Sequence, residues 1–223
     1  MKTSILLLIA TLTFSYVCGQ SSSYSFVFLN KKADAVQLPK EEGEKLMAGH
    51  MANIERLAKE GKLIVAGPFE GGGGIFIFNT TSIEEAKSWL DSDPGVQANR
   101  WNVEVFPYRP RVNSVCSAKE PYEMVTYQFI RFTANKSKST ARDYPHIFYK
   151  HDDYLKEIGK KVNVVTEGIF GEFDGGILII NGDLPQESIE SDPAIQEGLL
   201  TLEVKKLWIA KGSFCEDRGS DTK

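Results

Sequence analysis

The chain has 223 residues, a formal net charge of -4 and a hydrophobic fraction of 42%, which are ordinary values for a globular protein. Acidic and basic residues are interspersed along it, without a basic face or a basic tail. This distribution argues against nucleic acid as a partner.

The first residues of the chain are typical of a signal peptide. Lys2 is followed by the apolar run "SILLLIATLTF" and by the small-residue sequence "VCG". We therefore predict a signal peptide over residues 1–19, a mature chain that begins near Gln20, and a secreted or periplasmic protein. A retained membrane anchor is the alternative, but the apolar run is too short to span a bilayer.

Export makes the cysteines informative. Removal of the signal peptide leaves Cys116 and Cys215. Two cysteines in an oxidising compartment suggest one disulfide, and the alternative is a pair of free thiols.

The first half of the mature chain predicts four strands and two helices. "YSFVFLN" is an alternating, aromatic-rich strand, and residues 41–60 carry apolar side chains at helical spacing, with Gly61 at the helix end. "KLIVAG" and "GIFIFN" form a hairpin, Ser82 and Glu85 form a capping box for the helix "IEEAKSWL", and "NVEVFPY" is the last strand. The order β-α-β-β-α-β is that of a ferredoxin-like fold. Trp89, Trp101 and Trp208 are predicted to be core or packing residues.

The second half repeats the first. His151 follows His50 by 101 positions, "GGILIIN" follows "GGIFIFN" by 102, and "SDP" recurs after 99. Ordered matches of this kind indicate an internal repeat. We predict domains at residues 20–110 and 122–210, a linker at 111–121 and a C-terminal tail at 211–223.

The two predicted sheets are apolar on both faces, because "GIFIFN" and "GILIIN" run without polar alternation. A strand that is apolar on both faces is covered on both faces. We predict an α+β protein in which two βαββαβ repeats pack sheet to sheet, as the subunits of a dimer would. The linker then holds a pseudo-dimer within one chain, which is expected to be monomeric or weakly oligomeric.

His50, Gly67-Pro68 and Asp93-Pro94, in this order, resemble the YCII-related family. The second half keeps His151, Gly168 and Asp192-Pro193 but has Ile169 at the position of the proline. The resemblance implies a dimeric α+β barrel, here fused in tandem. It also implies that His50 faces Asp93, and His151 faces Asp192, as a catalytic pair.

The residues themselves leave two interpretations open. His50 and His151 lie on apolar helix faces, where a buried, hydrogen-bonded histidine is the simpler reading, and Asp-Pro is a good helix start with Asp as N-cap. Retention of both features in two diverged halves favours a shared role. An imidazole held by a carboxylate could act as general acid or base on a small enolisable or aromatic molecule, in an elimination or isomerisation. The alternative is a non-catalytic small-ligand-binding or structural module.

Other chemistry finds little support in the chain. No cofactor motif is present, since "EGGGG" lacks the lysine and hydroxyl residue of a phosphate loop. Two distant histidines with one carboxylate each make a poor metal site. The expected partner is an unidentified small molecule, with no nucleic acid and, after signal removal, no membrane. Because the last strand of the second half lies beside its first strand, Cys116 and Cys215 are predicted to pair.

Overall fold

The computed structural model describes residues 24–138, 144–171 and 175–215, so the predicted signal peptide lies outside the described residues. The fold is α+β, as predicted, and most of its strands form one large antiparallel sheet. The strands are β1 (Tyr24–Lys31), β2 (Leu63–Pro68), β3 (Gly74–Phe78), β4 (Trp101–Val112), β5 (Ser114–Val115), β6 (Met124–Ala134), β7 (Asn163–Ile169), β8 (Gly175–Asn181), β9 (Leu200–Ala210) and β10 (Phe214–Cys215). The helices are α1 (Lys40–Lys59), α2 (Ile83–Leu90), α3 (Pro94–Gln97), α4 (Tyr144–Gly159), α5 (Gln186–Glu190) and α6 (Pro193–Gln196).

The strand order is the same in the two halves of the chain. The eight-stranded sheet runs β2-β3-β1-β4-β7-β8-β6-β9, so each half contributes four neighbouring strands in equivalent order. The halves join where β4 pairs antiparallel with β7. At the other end, an antiparallel bridge joins Phe69 to Leu207, and the backbone N–H of Glu70 donates to the carbonyl of Lys206. The outermost strands, β2 and β9, therefore also meet.

The sheet has an apolar layer on each face. Phe26 and Phe28 of β1 face one side, whereas Val27 and Leu29 face the other, as expected from the period of two in a strand. One face carries a cluster drawn from both halves, here called the shared cluster. Its buried members are Tyr24, Phe26, Phe28, Val65, Phe69, Ile75, Ile77, Tyr108, Val115, Phe129, Phe170, Ile177, Ile179, Leu207, Ile209 and Phe214. Because each large side chain stabilises by about 1.5–3 kcal/mol on burial, this cluster is expected to hold the two halves together.

On the other face of the sheet, each half has its own cluster under its helices. In the first half, Leu57 of α1 and Ala86 and Leu90 of α2 pack against the strands. In the second half, Leu155 of α4 and Ile189 of α5 do the same. Both predicted apolar faces of "GIFIFN" and "GILIIN" are thus covered. The helices place His50 and His151 on this outer face.

The repeated glycines lie where the last strand of the other half passes close by. A Cβ at Gly67 would approach the Leu207 side chain and the carbonyl oxygen of Trp208 to 3.0 Å. A Cβ at Gly168 would lie 2.6 Å from the Tyr108 ring and 2.7 Å from the carbonyl oxygen of Arg109. The two seams therefore require glycine because backbones approach closely there.

Two sequence predictions need correction. Trp208 is 51% exposed rather than packed in the core, because it alternates with Leu207 and Ile209, which face the shared cluster. The predicted linker is also more ordered than expected. β4 extends to Val112, and β5 pairs with β10 in a two-stranded sheet. Beside this pairing, a disulfide joins Cys116 and Cys215, whose Cα atoms are 6.0 Å apart.

Candidate active site

The first half brings His50 and Asp93 into contact. Nδ1 of His50 lies 2.7 Å from Oδ2 of Asp93, and the two residues are 8% and 0% exposed. Asp93 is also the N-cap of α3, and its Oδ1 accepts hydrogen bonds from the backbone N–H groups of Gly95 and Val96 at 2.8 and 3.2 Å. One carboxylate thus caps the helix with one oxygen and holds the imidazole with the other.

The second half repeats this geometry. Nδ1 of His151 lies 2.6 Å from Oδ2 of Asp192, and the residues are 5% and 0% exposed. Oδ1 of Asp192 accepts a hydrogen bond from the backbone N–H of Ala194 at 2.8 Å. The two interpretations of Asp-Pro, helix capping and contact with histidine, are therefore compatible in both halves.

The carboxylates determine the form of the neutral imidazoles. Burial of Asp93 raises the pKa of its carboxyl, but the hydrogen bond and charge of His50, followed by the donors from Val96 and Asn53, outweigh it and lower the pKa. An ionised carboxylate only accepts hydrogen bonds, so the proton of a neutral His50 ring lies on Nδ1. Nε2 is then the free base, which is the arrangement of a general base oriented by an acid group.

Further polar groups surround the first pair. Nδ2 of Asn53 donates to Oδ2 of Asp93 at 3.3 Å, while Oδ1 of Asn53 accepts from Arg56 at 2.8 Å and from the Ser92 hydroxyl at 3.1 Å. The rings of Trp101 and Phe76 lie 4.8 and 5.9 Å from the imidazole of His50. The first pair is therefore held by a hydrogen-bonded network and by packed aromatic rings.

The second pair borders a cavity of about 850 Å³, here called the His151 cavity. Its walls come from both halves of the chain: β4 supplies one side, and α4, β7 and the start of β8 supply the others. The lining residues are Pro107, Tyr108, Arg109, Arg111, Phe132, Pro145, Phe148, Tyr149, His151, Asp152, Leu155, Glu167, Ile169, Gly171, Gly175, Gly176 and Ile177. The volume falls within the usual range for small-molecule sites.

Three charged residues form a cluster in the wall of the His151 cavity. Nε and Nη2 of Arg111 donate to Glu167 at 3.0 and 2.7 Å, and Nη1 donates to Asp152 at 2.8 Å. Burial lowers the pKa of Arg111, but Glu167 and Asp152 outweigh it and raise the pKa. We call these residues the Arg111 cluster. Sequence reasoning missed it, because Arg111 was assigned to a polar linker.

A second cavity of about 490 Å³ opens on the shared-cluster side of the sheet. Arg131 binds Glu104 through two hydrogen bonds of 2.9 Å, and its guanidinium lies 3.8 Å from the ring centre of Phe28. The hydrogen bonds from Arg131 lower the pKa of Glu104 against the opposing effect of burial. The signal for Arg131 was present in the sequence, as a lone charge in the apolar strand "YQFIRF".

The structure describes residues 24–138, 144–171 and 175–215. There, no group of three or more His, Cys, Asp or Glu side chains is arranged to hold a metal ion. Nor does any described helix combine the length and apolar character of a membrane span.

Comparison with known proteins identifies the first half. Residues 25–109 match the model of the YCII-related domain, while the second half lies outside the matched range. No curated protein matches the chain.

Three solved structures resemble the whole described chain at low identity. A proposed monooxygenase from Lactobacillus acidophilus NCFM is 14% identical over 87% of this chain and 99% of its own, with a TM-score of 0.42. A proposed chlorite dismutase is 8% identical over 87% and 95%, with a TM-score of 0.48. A proposed monooxygenase from Fusobacterium nucleatum subsp. nucleatum is 8% identical over 89% and 96%, with a TM-score of 0.46. At these values the likeness does not extend to function.

Proposed function

We propose that the chain is a tandem of two YCII-like halves closed into one α+β barrel. The equal strand order of the halves supports this, as do the β4–β7 pairing, the Phe69–Leu207 bridge and the shared cluster to which both halves contribute. In this arrangement the last strand of each half lies beside the second strand of the other. Each His–Asp pair then lies close to a strand supplied by the opposite half.

We propose further that the second half is an acid–base catalyst for a small enolisable or aromatic molecule. The observation that carries this proposal is the His151–Asp192 pair at the border of the His151 cavity. His151 lines this cavity, so its ring lies beside a space that a small molecule could occupy. Phe132, Phe148 and Leu155 offer an apolar wall beside the polar one, which suits a molecule with a ring or short apolar body.

The proposed mechanism follows from the tautomer. Nε2 of His151 removes a proton from a C–H group next to a carbonyl or ring, while Asp192 orients the imidazole and stabilises the imidazolium that forms. In an isomerisation the same proton returns to another carbon of the substrate, so that the protein ends unchanged. In an elimination it passes to the leaving group. A positioned base of this kind typically contributes about 10²–10⁴ in rate.

Proton abstraction can be tested without knowing the natural substrate. Small ketones, keto acids and aromatic acids would be incubated with the protein in D₂O, and exchange of their C–H groups followed by proton NMR. We expect acceleration for at least one compound and a loss of about 100-fold in His151→Gln. His50→Gln is the matched control and should retain most of the exchange. Full exchange in His151→Gln would contradict the proposal.

The same samples distinguish the alternative, a non-catalytic ligand-binding module. Ligand line broadening that His151→Gln abolishes, without any C–H exchange by the native protein, would support a binding site and exclude the proposed reaction for those compounds.

We also propose export to an oxidising compartment, by way of the predicted signal peptide at residues 1–19. The Cys116–Cys215 disulfide supports this, because disulfides persist mainly outside reducing compartments. Intact mass of the protein recovered from its natural host should show a chain that begins near Gln20 and lacks two thiol protons. A recovered chain that still carries Met1 and two free thiols would refute it.

A further inference from the structure

Arg111 belongs to the first half of the chain but borders the site of the second. It lies near the end of β4, and its guanidinium reaches Glu167 on β7 and Asp152 on α4. Asp152 directly follows His151 in the chain. The Arg111 cluster thus connects the last strand of one half to the helix that carries the histidine of the other.

All three nitrogens of the Arg111 guanidinium are hydrogen-bonded to these two carboxylates. The side chains of Arg111, Glu167 and Asp152 are 24%, 9% and 31% exposed. In such partly buried surroundings the charges interact more strongly than they would in water. Arg111 therefore offsets much of the negative potential that Glu167 and Asp152 would create in the cavity.

The Arg111 cluster is found at only one of the two seams between the halves. The positions of the first half that correspond to Asp152 and Glu167, 101 residues earlier, are Met51 and Ala66, and Ala210 corresponds to Arg111 after 99 residues. The β2–β9 seam is made by the isolated Phe69–Leu207 bridge without any of these charges, whereas β4 and β7 pair up to Val112 and Glu167. The cluster is therefore specific to the seam that borders the His151 cavity.

We infer that Arg111 is a positioning residue of the His151 site, which fixes Glu167 and Asp152 in the cavity wall and balances their charge beside the imidazole. Among the described residues, the charged side chains that line the cavity or adjoin His151 are Asp192, its hydrogen-bond partner; Lys150 and Asp152, its neighbours on α4; Glu167, on β7; and Arg109 and Arg111, on β4. Without Arg111, Glu167 and Asp152 would leave an uncompensated negative charge in the wall of the cavity that His151 borders. In the native protein, a residue of the first half thus sets the charge balance at the candidate site of the second half.

This role of Arg111 rests on the proposed function of the His151 site, but its test does not require catalytic activity. Imidazole NMR signals of the full chain would be followed as a function of pH, and assigned with His50→Gln and His151→Gln. In Arg111→Met we expect the titration midpoint of His151 to rise, because two carboxylates that line the same cavity would lose their cation and a nearby negative charge favours the imidazolium. The midpoint of His50 should stay unchanged and serves as the internal reference.

Two further variants test whether the titration midpoint of His151 follows the charge at these positions. Arg111→Lys keeps the positive charge and should leave the midpoint of His151 near its native value. Glu167→Gln removes a negative charge, so it should lower the midpoint, and it also serves if Arg111→Met fails to fold. An unchanged His151 midpoint in a folded Arg111→Met protein, or equal shifts of His50 and His151, would overturn the inference. Loss of C–H exchange in His151→Gln would still support the proposed function in that case.

Discussion

The two halves share a His–Asp pair but surround it differently. Both imidazoles lie against an aromatic ring, that of Trp101 for His50 and that of Phe132 for His151, but Asp93 accepts hydrogen bonds from His50, Asn53, Gly95 and Val96. Asp192 accepts only two hydrogen bonds from the described residues, and its histidine borders a cavity with a charged wall. The comparison teaches that each pair joins a helix to a helix start in the same way. What differs between the halves is the set of polar groups around the pair.

The interior of the molecule shows the same divergence. Phe28 pairs with Ile75 on β3, and Arg131 pairs with the equivalent Ile177 on β8. Arg131 therefore stands at the position that Phe28 has in the first half, and its guanidinium lies over the Phe28 ring at 3.8 Å. In a symmetric dimer, like residues would face each other at such positions. Two halves in one chain can instead set a cation against a ring, an interaction worth about 0.5–2 kcal/mol.

The largest expected effect comes from removing the disulfide. Cys116 and Cys215 are 99 residues apart and enclose the second half. In the chain-entropy model, closing such a loop stabilises by about 4–5 kcal/mol. We therefore expect Cys116→Ser with Cys215→Ser to lower the free energy of unfolding by that amount in urea titrations. Amide exchange should quicken more in the second half than in the first.

Reduction of the native protein is the matched control for the double variant and should have the same effect. A loss of unfolding free energy below about 1 kcal/mol would contradict this prediction. An equal loss of amide protection in both halves would show that the disulfide does not stabilise the second half in particular.

Replacing either aspartate by asparagine should lower the free energy of unfolding by a smaller amount, and the two losses should differ. In Asp93→Asn, the new amide group meets the amide of Asn53 as well as His50, so one donor must face another. We expect a cost of about 3 kcal/mol, the value of one hydrogen bond to a charge plus an unpaired buried donor. In Asp192→Asn only the imidazole is affected, and a change of tautomer restores a hydrogen bond. Its cost should be about half as large, measured by the same titrations. Equal costs would contradict the comparison.

Much of the fold could be predicted from the sequence. The two faces of "GIFIFN" and "GILIIN" predicted cover on both sides of the sheet, and the clusters confirm it. Helical spacing placed His50 and His151 on buried helix faces, where they lie. These features follow from local periodicity, which a single chain displays without any knowledge of its partners.

The seams between the halves could not be predicted in this way. Pairing of β4 with β7 depends on which sheet edges meet, and no local pattern records that choice. Arg111 therefore resembled a linker residue, and Trp208 was wrongly assigned to the core although it faces outward beside Leu207. The His151 cavity arises at the same seam, so its charged wall was hidden from sequence reasoning as well. What differs between the two sites was thus harder to predict than what they share.

The smallest expected effect is on the pH dependence of stability, and it depends on the hydrogen-bonded carboxylate of Asp93. The pKa of its carboxyl is lowered in the folded state because His50 and the other donors outweigh burial, so the ionised form contributes stability. That contribution is fully present well above the ordinary value of 3.8 and is lost as the pH falls through the lower, folded value. The difference in unfolding free energy between the native protein and Asp93→Asn should therefore be constant near neutral pH. Below about pH 4 it should narrow, by at most about 1.4 kcal/mol for each pH unit, the limit for one proton. Urea titrations from pH 6 to pH 3 would measure it, with Asp153→Asn on the exposed face of α4 as the control. If the difference held constant down to pH 3, Asp93 would not be the carboxylate through which acid weakens the first half.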